Sequence, residues 1–353
     1  MKKVLVILLV LAVAGAAFAD VTSYGRARLN LGSRIILEPD NADPSWIFIP
    51  HFRMGVRGSN DVVRFFAQFD ANTNDANAHV FGTWRANASV DIGDLTLSLG
   101  RNELPWVQWS SLAFLGDTNS SFGATNSTVV GYVQVAHSGA YLGLTSAGRI
   151  HEKTTEDYPA PGFYLGYDHK ADGFSVGGAF AGLAGTHATP ARAAIHGCDD
   201  CGVACILAVP RGEPYDVFSW MGKVHAKFDV APAIIGVNIA LYGAPMYGFF
   251  SLTPVNSIIG GDKALVLESM LDIAVRLEPC AISLTTAYVA NFADNNDRGG
   301  GSALRIGTSA NFDVGGGFRV IPGLMYTNFL KGAGGGKVEN SDLQVGVTFL
   351  YSF

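Results

Sequence analysis

The chain has 353 residues, only 15% of them charged, and a formal net charge of −6. An acidic chain is a poor partner for nucleic acid, so nucleic-acid binding is not expected. Beyond its N-terminal residues the sequence has no uninterrupted apolar run of about 18 residues, which argues against a helical membrane span.

Residues 1–19 have the composition of a secretory signal peptide. Lys2 and Lys3 precede an apolar run, and Ala17-Phe18-Ala19 offers a cleavage site before Asp20. The run is too short for a comfortable membrane span. We therefore predict an exported protein whose mature part, residues 20–353, is one domain with 22 basic and 30 acidic residues.

Most of the remaining chain alternates between apolar and polar or small residues. Side chains on a β-strand point to opposite faces in turn, so each such segment predicts a strand with one apolar and one polar face. The alternating segments occupy residues 28–36, 48–57, 62–70, 79–92, 95–99, 163–170, 218–228, 265–278, 304–312 and 342–353, with weaker alternation over 128–136 and 140–146.

Two kinds of connection separate the predicted strands. Seven are short and rich in turn-forming residues, as at Gly93-Asp94 and Ser138-Gly139. Eight are long and fall near residues 37–46, 72–78, 102–127, 147–161, 184–213, 245–263, 293–302 and 329–341, of which 184–213 is the least strand-like. Together they predict sixteen strands.

A sheet of this kind has to close on itself in a membrane. Backbone groups in lipid must be hydrogen-bonded within the protein, so the first strand, near residues 21–32, must pair with the last. Each strand with its connection takes about 21 residues, which suits membrane strands of about 10 residues. The prediction is an all-β fold: a transmembrane antiparallel β-barrel of about 16 strands.

The segment from Asp94 to Thr118 carries a more specific pattern. A predicted strand ends in Gly100-Arg101-Asn102, and the following loop closes on Gly116-Asp117-Thr118. This segment resembles the fifth strand and third loop of the general porins of Gram-negative bacteria. The signal peptide, the strand count and the final Phe353 are also similar to those of that family. The resemblance implies an outer-membrane channel for passive diffusion of ions and small hydrophilic solutes, with the third loop folded into the barrel. It also implies a homotrimer in outer-membrane lipid, with Phe353 as the signal for the barrel assembly machinery.

Arginines dominate the predicted inner face of the first four strands. In the porin family such an arginine cluster faces carboxylates on the third loop, and rings of charge set ion preference. The candidate pore-lining and constriction residues are Arg26, Arg28, Arg53, Arg57, Arg64, Arg85, Arg101, Glu103 and Asp117. The loop here departs from the family because Glu103 is its only carboxylate before Asp117, and its middle is apolar. An arginine-rich pore leans toward anions, whereas Glu268, Asp272 and Glu278 on a later strand act the other way. Each arginine could equally be a solvated residue paired with a neighbour.

Three cysteines, Cys198, Cys201 and Cys205, cluster in the long connection 184–213. A disulfide within this loop is favoured over a metal site, because the spacing supplies no full set of four ligands. Cys280 lies in a short turn on the opposite side of the membrane. We expect no metal and no cofactor, and no spacing typical of a hydrolase is present, so an enzyme is not expected.

Two other functions stay open from the sequence. One is a channel specific for a solute class, such as sugars or anions. The other is a barrel that serves as a surface antigen or adhesin, with residues 184–213 as its binding element.

Overall fold

The computed structural model describes residues 20–38, 41–72, 84–102, 130–145, 162–187, 192–197, 204–209, 215–243, 265–292, 301–331 and 341–353. The predicted signal peptide (1–19) and the predicted third loop (103–129) lie outside the described residues. In the part of the chain that is described, no helix is long and apolar enough to cross a membrane.

Eighteen strands make up the described structure. They are β1 (Asp20–Glu38), β2 (Asn41–Ser59), β3 (Val63–Asn72), β4 (Trp84–Ile92), β5 (Leu95–Asn102), β6 (Val130–His137), β7 (Ala140–Thr145), β8 (Gly162–Ala171), β9 (Phe174–His187), β10 (Arg192–Gly197), β11 (Ala204–Val209), β12 (Tyr215–Val230), β13 (Ala233–Gly243), β14 (Leu265–Leu277), β15 (Cys280–Asn291), β16 (Ser302–Gly315), β17 (Phe318–Lys331) and β18 (Ser341–Ser352).

Sixteen of these strands form one closed antiparallel barrel. Barrel strands pair with their neighbours in sequence, except that β9 pairs with β12 and leaves β10–β11 as a separate hairpin. β1 closes the barrel against β18, from Arg26 opposite Ser352 to Leu37 opposite Ser341. The predicted sixteen-stranded barrel and the pairing of its first and last strands are confirmed.

The short connections lie where the sequence predicts them. Ser138 and Gly139, which join β6 to β7, have φ angles of 47° and 88°. Two successive positive φ angles define the type I′ turn, whose twist matches that of paired strands. Gly93-Asp94, Asp172-Gly173 and Gly316-Gly317 form further tight turns at the same end of the barrel.

The first hairpin is longer than predicted. Residues 37–46 were expected to form a long connection, but β1 continues to Glu38 and β2 starts at Asn41. Pro44 and the polar residues around it resemble a loop. β2 pairs with β3 only from His51 onward, so among the described residues the stretch 41–50 is paired with β1 alone. A strand paired on one side tolerates proline, because the missing N–H has no ladder to join.

The connection 184–213 also departs from the prediction of a loop. β9 extends through it to His187, and residues 192–209 contain the hairpin β10–β11, in which Ile195 lies opposite Ile206. Its alternation is hard to read from sequence, because small residues dominate both strands and give neither face a clear polarity.

The two faces of the barrel differ sharply in exposure. On β12, Val224 is 56% exposed, whereas its neighbour Lys223 is only 4% exposed. Outward residues from Trp220 to Phe228 cover about 26 Å of strand, or about 20 Å of height at the usual tilt of membrane barrels, close to the apolar band of about 25 Å that such barrels present to lipid. The outer face therefore suits a bilayer, and the inner face holds the charged and polar side chains.

The final residue completes the closing seam. The Phe353 N–H donates to the Gly25 carbonyl at 3.0 Å, and the Gly25 N–H donates to the Phe353 carbonyl at 2.8 Å. The Phe353 ring stacks on Tyr351 and Phe52, with centroid distances of 5.7 and 6.4 Å. A Cβ on Gly25 would overlap this ring, so the ring can lie in this position only over a glycine.

Replacing Gly25 by alanine should weaken the seam. The new methyl group displaces the Phe353 ring, and overpacking of this kind costs on the order of 1–3 kcal/mol. The measurement is the temperature at which the compact barrel band is lost on gels. Gly222→Ala is the matched control, because a Cβ there meets nothing within 4 Å. Equal behaviour of the two variants would show that the ring has no structural role.

Candidate functional site

The inner wall of the barrel is polar and densely hydrogen-bonded. Asn30 accepts a hydrogen bond from Thr348 across the seam at 2.9 Å, and Asp272 accepts one from Thr285 at 2.7 Å. These side chains are at most 1% exposed. Buried polar groups are stable only when they are paired, so this wall is specifically built rather than incidentally polar.

Six arginines share the inner face of β1–β4, and we call them the arginine wall: Arg26, Arg28, Arg53, Arg57, Arg64 and Arg85. The strand register places Arg26 opposite Arg53, and Arg85 opposite Gln68. The alternate positions of the same strands carry outward apolar residues such as Phe52, 40% exposed. The arginines thus occupy the face that the sequence predicts; their role in a constriction stays a prediction.

One carboxylate organises the centre of the arginine wall. Arg53 binds Asp70 through two nitrogens, at 2.8 and 3.1 Å, and Arg85 approaches the same carboxylate at 3.6 Å. The Gln68 amide also donates to Asp70, at 3.1 Å. A two-nitrogen contact fixes the plane of the Arg53 guanidinium as well as its position.

Arg57 and Arg64 lie nearer the end with short turns. Arg64 pairs with Asp91 at 2.7 Å in an exposed ion pair, and Arg57 donates to the Thr22 hydroxyl at 3.2 Å. Exposed ion pairs contribute little stability, so these contacts orient the arginines more than they hold the barrel together.

Strands β12–β18 and the adjoining β1 carry a different arrangement, which we call the charge belt: Arg34, Asp342, Arg305, Glu268 and Lys223. Arg34 binds Asp342 at 2.8 Å. Arg305 interacts electrostatically with Asp342 and Glu268, and Lys223 with Glu268. The five residues stand on β1, β18, β16, β14 and β12. The Arg34–Asp342 pair joins neighbouring strands, and each of the other interactions crosses one intervening strand.

The charge belt alternates in sign and is buried except at its Arg34 end, where the side chain is 39% exposed. Lys223, Glu268, Arg305 and Asp342 are between 1% and 5% exposed. Each carboxylate lies between two cations, which offsets the large cost of removing charges from water. On the arginine wall, by contrast, the Arg53 side chain is 23% exposed. The belt has the character of a structural element, and the arginine wall that of an accessible surface.

Glycines let polar side chains meet across a strand. The Tyr24 hydroxyl on β1 reaches Gln68 on β3 at 3.1 Å by passing over Gly55 on β2, where a Cβ would lie 2.7 Å from the tyrosine. Three further bridges are Asn87 to Tyr132 over Gly100 (2.7 Å), Tyr164 to Gln134 over Gly143 (3.0 Å) and His225 to Asp168 over Gly177 (3.2 Å). The bridging side chains therefore lie along the wall instead of projecting from it.

Some predicted site residues are placed less clearly than the arginine wall, or lie outside the described residues. Arg101 lies opposite Ala86 in the register, but Gly100 before it has φ 147°, so simple alternation does not fix its face. Glu103 and Asp117 lie outside the described residues, as do Cys198 and Cys201. Their roles stay predictions.

The described cysteines are Cys205 and Cys280. Cys205 stands opposite His196 in the β10–β11 register, and Cys280 is a free, half-buried thiol at the start of β15. Among the described residues, no three His, Cys, Asp or Glu side chains converge as metal ligands.

Asp70 and Arg305 are the residues that sequence reasoning undervalues. Both stand at inward positions of alternating strands, which is the signal that selected the arginines. Their importance depends on partners far away in sequence: Arg305 lies opposite Thr327, and Thr327 opposite Asp342. Such register partners cannot be read from one sequence.

Known structures share this architecture. OmpF of Salmonella typhi, in complex with daunomycin, is similar with a TM-score of 0.61 and 13% identity, covering 94% of this chain and 97% of that chain. An anion-selective porin from Comamonas acidovorans gives 0.57 and 16%, covering 95% and 99%. OmpT, an outer membrane protein of Vibrio cholerae in trimer form, gives 0.58 and 13%, also covering 95% and 99%. No protein-family model matches the chain, and no curated protein matches its sequence.

Removing the central carboxylate of the charge belt should destabilise the barrel. Glu268→Gln leaves Lys223 and Arg305 buried without the anion between them, and breaking a buried charge pair costs about 3–5 kcal/mol. The measurement is the urea or thermal midpoint of unfolding in detergent. Asp229→Asn is the matched control, because its exposed pair with Arg276 contributes only about 0–1 kcal/mol. Equal losses in both variants would mean that the belt stabilises no more than a surface pair does.

Proposed function

Because the chain has the fold of the bacterial outer-membrane porins, we propose that it forms a water-filled channel through which ions and small hydrophilic solutes diffuse passively. The observation that carries this proposal is the closed barrel with an apolar outer face and a charged inner face. In such a channel, selectivity depends on pore width and lining charge. The protein carries out no bond chemistry and uses no cofactor.

The arginine wall supports a preference for anions. Electrostatic partners of His51 on this wall are Arg26, Arg28 and Arg53 against one carboxylate, Asp70. Apart from Arg34, the charge belt is buried, and its charges alternate in sign. The more accessible part of the lining is therefore cationic, and anion selectivity is also the property for which the Comamonas acidovorans porin is named.

Whether the channel is general or specific depends on solute binding. A general channel conducts in proportion to solute size and charge. A specific one shows current block that saturates with the concentration of one solute class, and planar-bilayer recording with sugars and anions separates the two.

Export and assembly complete the proposal. The leader at residues 1–19 directs export, and the mature barrel lies in outer-membrane lipid. Phe353, hydrogen-bonded to Gly25 at the seam, is the residue that the barrel assembly machinery recognises. Loss of outer-membrane insertion on deletion of Phe353, with correct export retained, is the expected result.

Neutralising the arginine wall should reduce anion preference. In a salt gradient, the wild-type reversal potential should indicate anion selectivity, and Arg53→Gln with Arg85→Gln should move it toward cations. Arg276→Gln is the control, because this arginine is exposed at the end of its strand and pairs with Asp229. An unchanged reversal potential would mean that the arginine wall is a solvated surface with no role in selectivity. Absence of conductance would mean that the protein is not a channel.

A trimer is the proposed assembly, with contacts through the first hairpin. Trp46 and Phe48 are 91% and 67% exposed on the part of β2 that extends beyond β3. A strand paired on one side and exposed aromatic residues both favour association with another copy of the chain.

Substitution at this hairpin tests the trimer. Phe48→Ser should lower the oligomer fraction on unboiled gels and in light scattering. Leu144→Ser, equally exposed at 67% but on the lipid-facing side of β7, should leave it unchanged. A monomeric wild-type protein in detergent and in bilayers would overturn the trimer and leave the channel proposal standing.

A further inference from the structure

We propose that the inner face of β1–β2 holds a binding site for small oxyanions that carry two negative charges, formed by Arg26, Arg28, His51 and Arg53. Inorganic phosphate and sulfate represent this class. The proposal rests on the channel function, because the solute reaches the site through the pore. It goes further by naming a class of solute and the residues that bind it.

The strand register brings the four side chains together. Arg26 stands opposite Arg53, and Arg28 opposite His51, on the same face of neighbouring antiparallel strands. Directly opposed residues have Cα atoms about 5 Å apart, and residues two apart on one strand are about 7 Å apart. Four nitrogen-bearing side chains thus rise from a rectangle about 5 by 7 Å, which matches the reach needed to surround one small oxyanion.

His51 is the group that points to a ligand. It is 9% exposed, and its Nδ1 atom is buried without a hydrogen-bond partner among the described residues. Buried polar atoms in folded proteins are nearly always paired, so an orphaned one calls for a water or an ion that completes it. Its charged neighbours include three arginines, so the missing partner is far more favourable as an anion than as a cation.

The proposed site brings three arginines together around one carboxylate, Asp70. Like charges directly opposite one another destabilise a strand pair, and Arg26 faces Arg53 in this way. Asp70 compensates in part, but it is shared by Arg53, Arg85 and Gln68. A dianion between the strands neutralises two charges at once, which a chloride ion cannot do.

Asp70 acts as a positioning residue in this site. Its two contacts with Arg53 hold that guanidinium in one plane before any solute arrives. With Nε and one Nη2 hydrogen on Asp70, the guanidinium still presents its Nη1–Nη2 edge, whose paired donors match two oxygens of a phosphate or sulfate. Asp70→Asn should therefore weaken dianion binding even though it removes a negative charge, whereas a purely electrostatic effect would strengthen it.

Ligand-dependent stability tests the site without requiring conductance. The purified protein in detergent is heated in sulfate, phosphate or chloride at equal ionic strength, and loss of the folded barrel is followed. A ligand that binds only the folded state raises the midpoint as its concentration increases. The expected result is a saturable rise with sulfate and phosphate that chloride does not reproduce.

Substitutions then locate the effect. Arg28→Gln and His51→Gln should raise the sulfate concentration for half-maximal stabilisation by about tenfold, since each removes a contact to a charged ligand. Arg276→Gln is the control, because Arg276 pairs with Asp229 on β12, away from these four residues. Equal midpoints in sulfate and chloride, or the same loss in Arg276→Gln as in Arg28→Gln, would overturn the site.

Bilayer recording separates this proposal from the channel function. Sulfate at millimolar concentration should reduce chloride current through the wild-type protein in a saturable way, and Arg28→Gln should raise the sulfate concentration for half-maximal block by about tenfold. A channel that conducts chloride with no sulfate block and no sulfate stabilisation would overturn the dianion site and leave the proposed function intact. A protein that is stabilised by sulfate but never conducts would overturn the channel and keep the binding site.

Discussion

The closing contact between β1 and β18 is the constraint on which the rest of the molecule depends. An open sheet in lipid would leave a row of backbone donors and acceptors unpaired at each edge, at a cost of several kcal/mol for each group. The register from Leu37–Ser341 to Arg26–Ser352, continued by Gly25 and Phe353, removes both edges. Only after closure do the two faces differ, with one toward lipid and the other enclosed.

The enclosed face uses charge in two ways. The charge belt alternates in sign and, apart from Arg34, is buried, so its charges compensate one another within the wall. The arginine wall has a clear excess of positive charge and is more accessible, an arrangement that adds little to stability. Residues that contribute less to stability than an alternative residue would are commonly found at functional sites. The contrast between Glu268, 1% exposed, and the Arg53 side chain, 23% exposed, is the physical basis for assigning solute contact to the arginines.

Much of the architecture follows from sequence alone, because two of its signals are local. Alternation and turn chemistry act over ten residues or fewer, and they predict the sixteen strands, the short turns and the shared face of Arg26, Arg53 and Arg85. Pro44 is misleading, because its loop-like surroundings hide a strand whose described pairing there is with β1 alone.

The contacts between inward side chains could not be predicted from the sequence in the same detail. The bridge from Arg34 to Asp342 joins residues more than 300 positions apart, and the orphaned Nδ1 of His51 is visible only once its neighbours are in place. Periodicity places a side chain on a face, but register decides which side chain it meets.

The glycine bridges carry a consequence for the bore of the channel. Where Tyr24 crosses Gly55, or Tyr164 crosses Gly143, the large side chain lies flat against the barrel wall and occupies little of the cross-section of the pore. Clearance for a passing molecule is thus governed in part by residues that no solute touches. In the proposed channel the glycines therefore contribute to width and the arginines to lining charge, and substitutions at these different positions can alter the two properties separately.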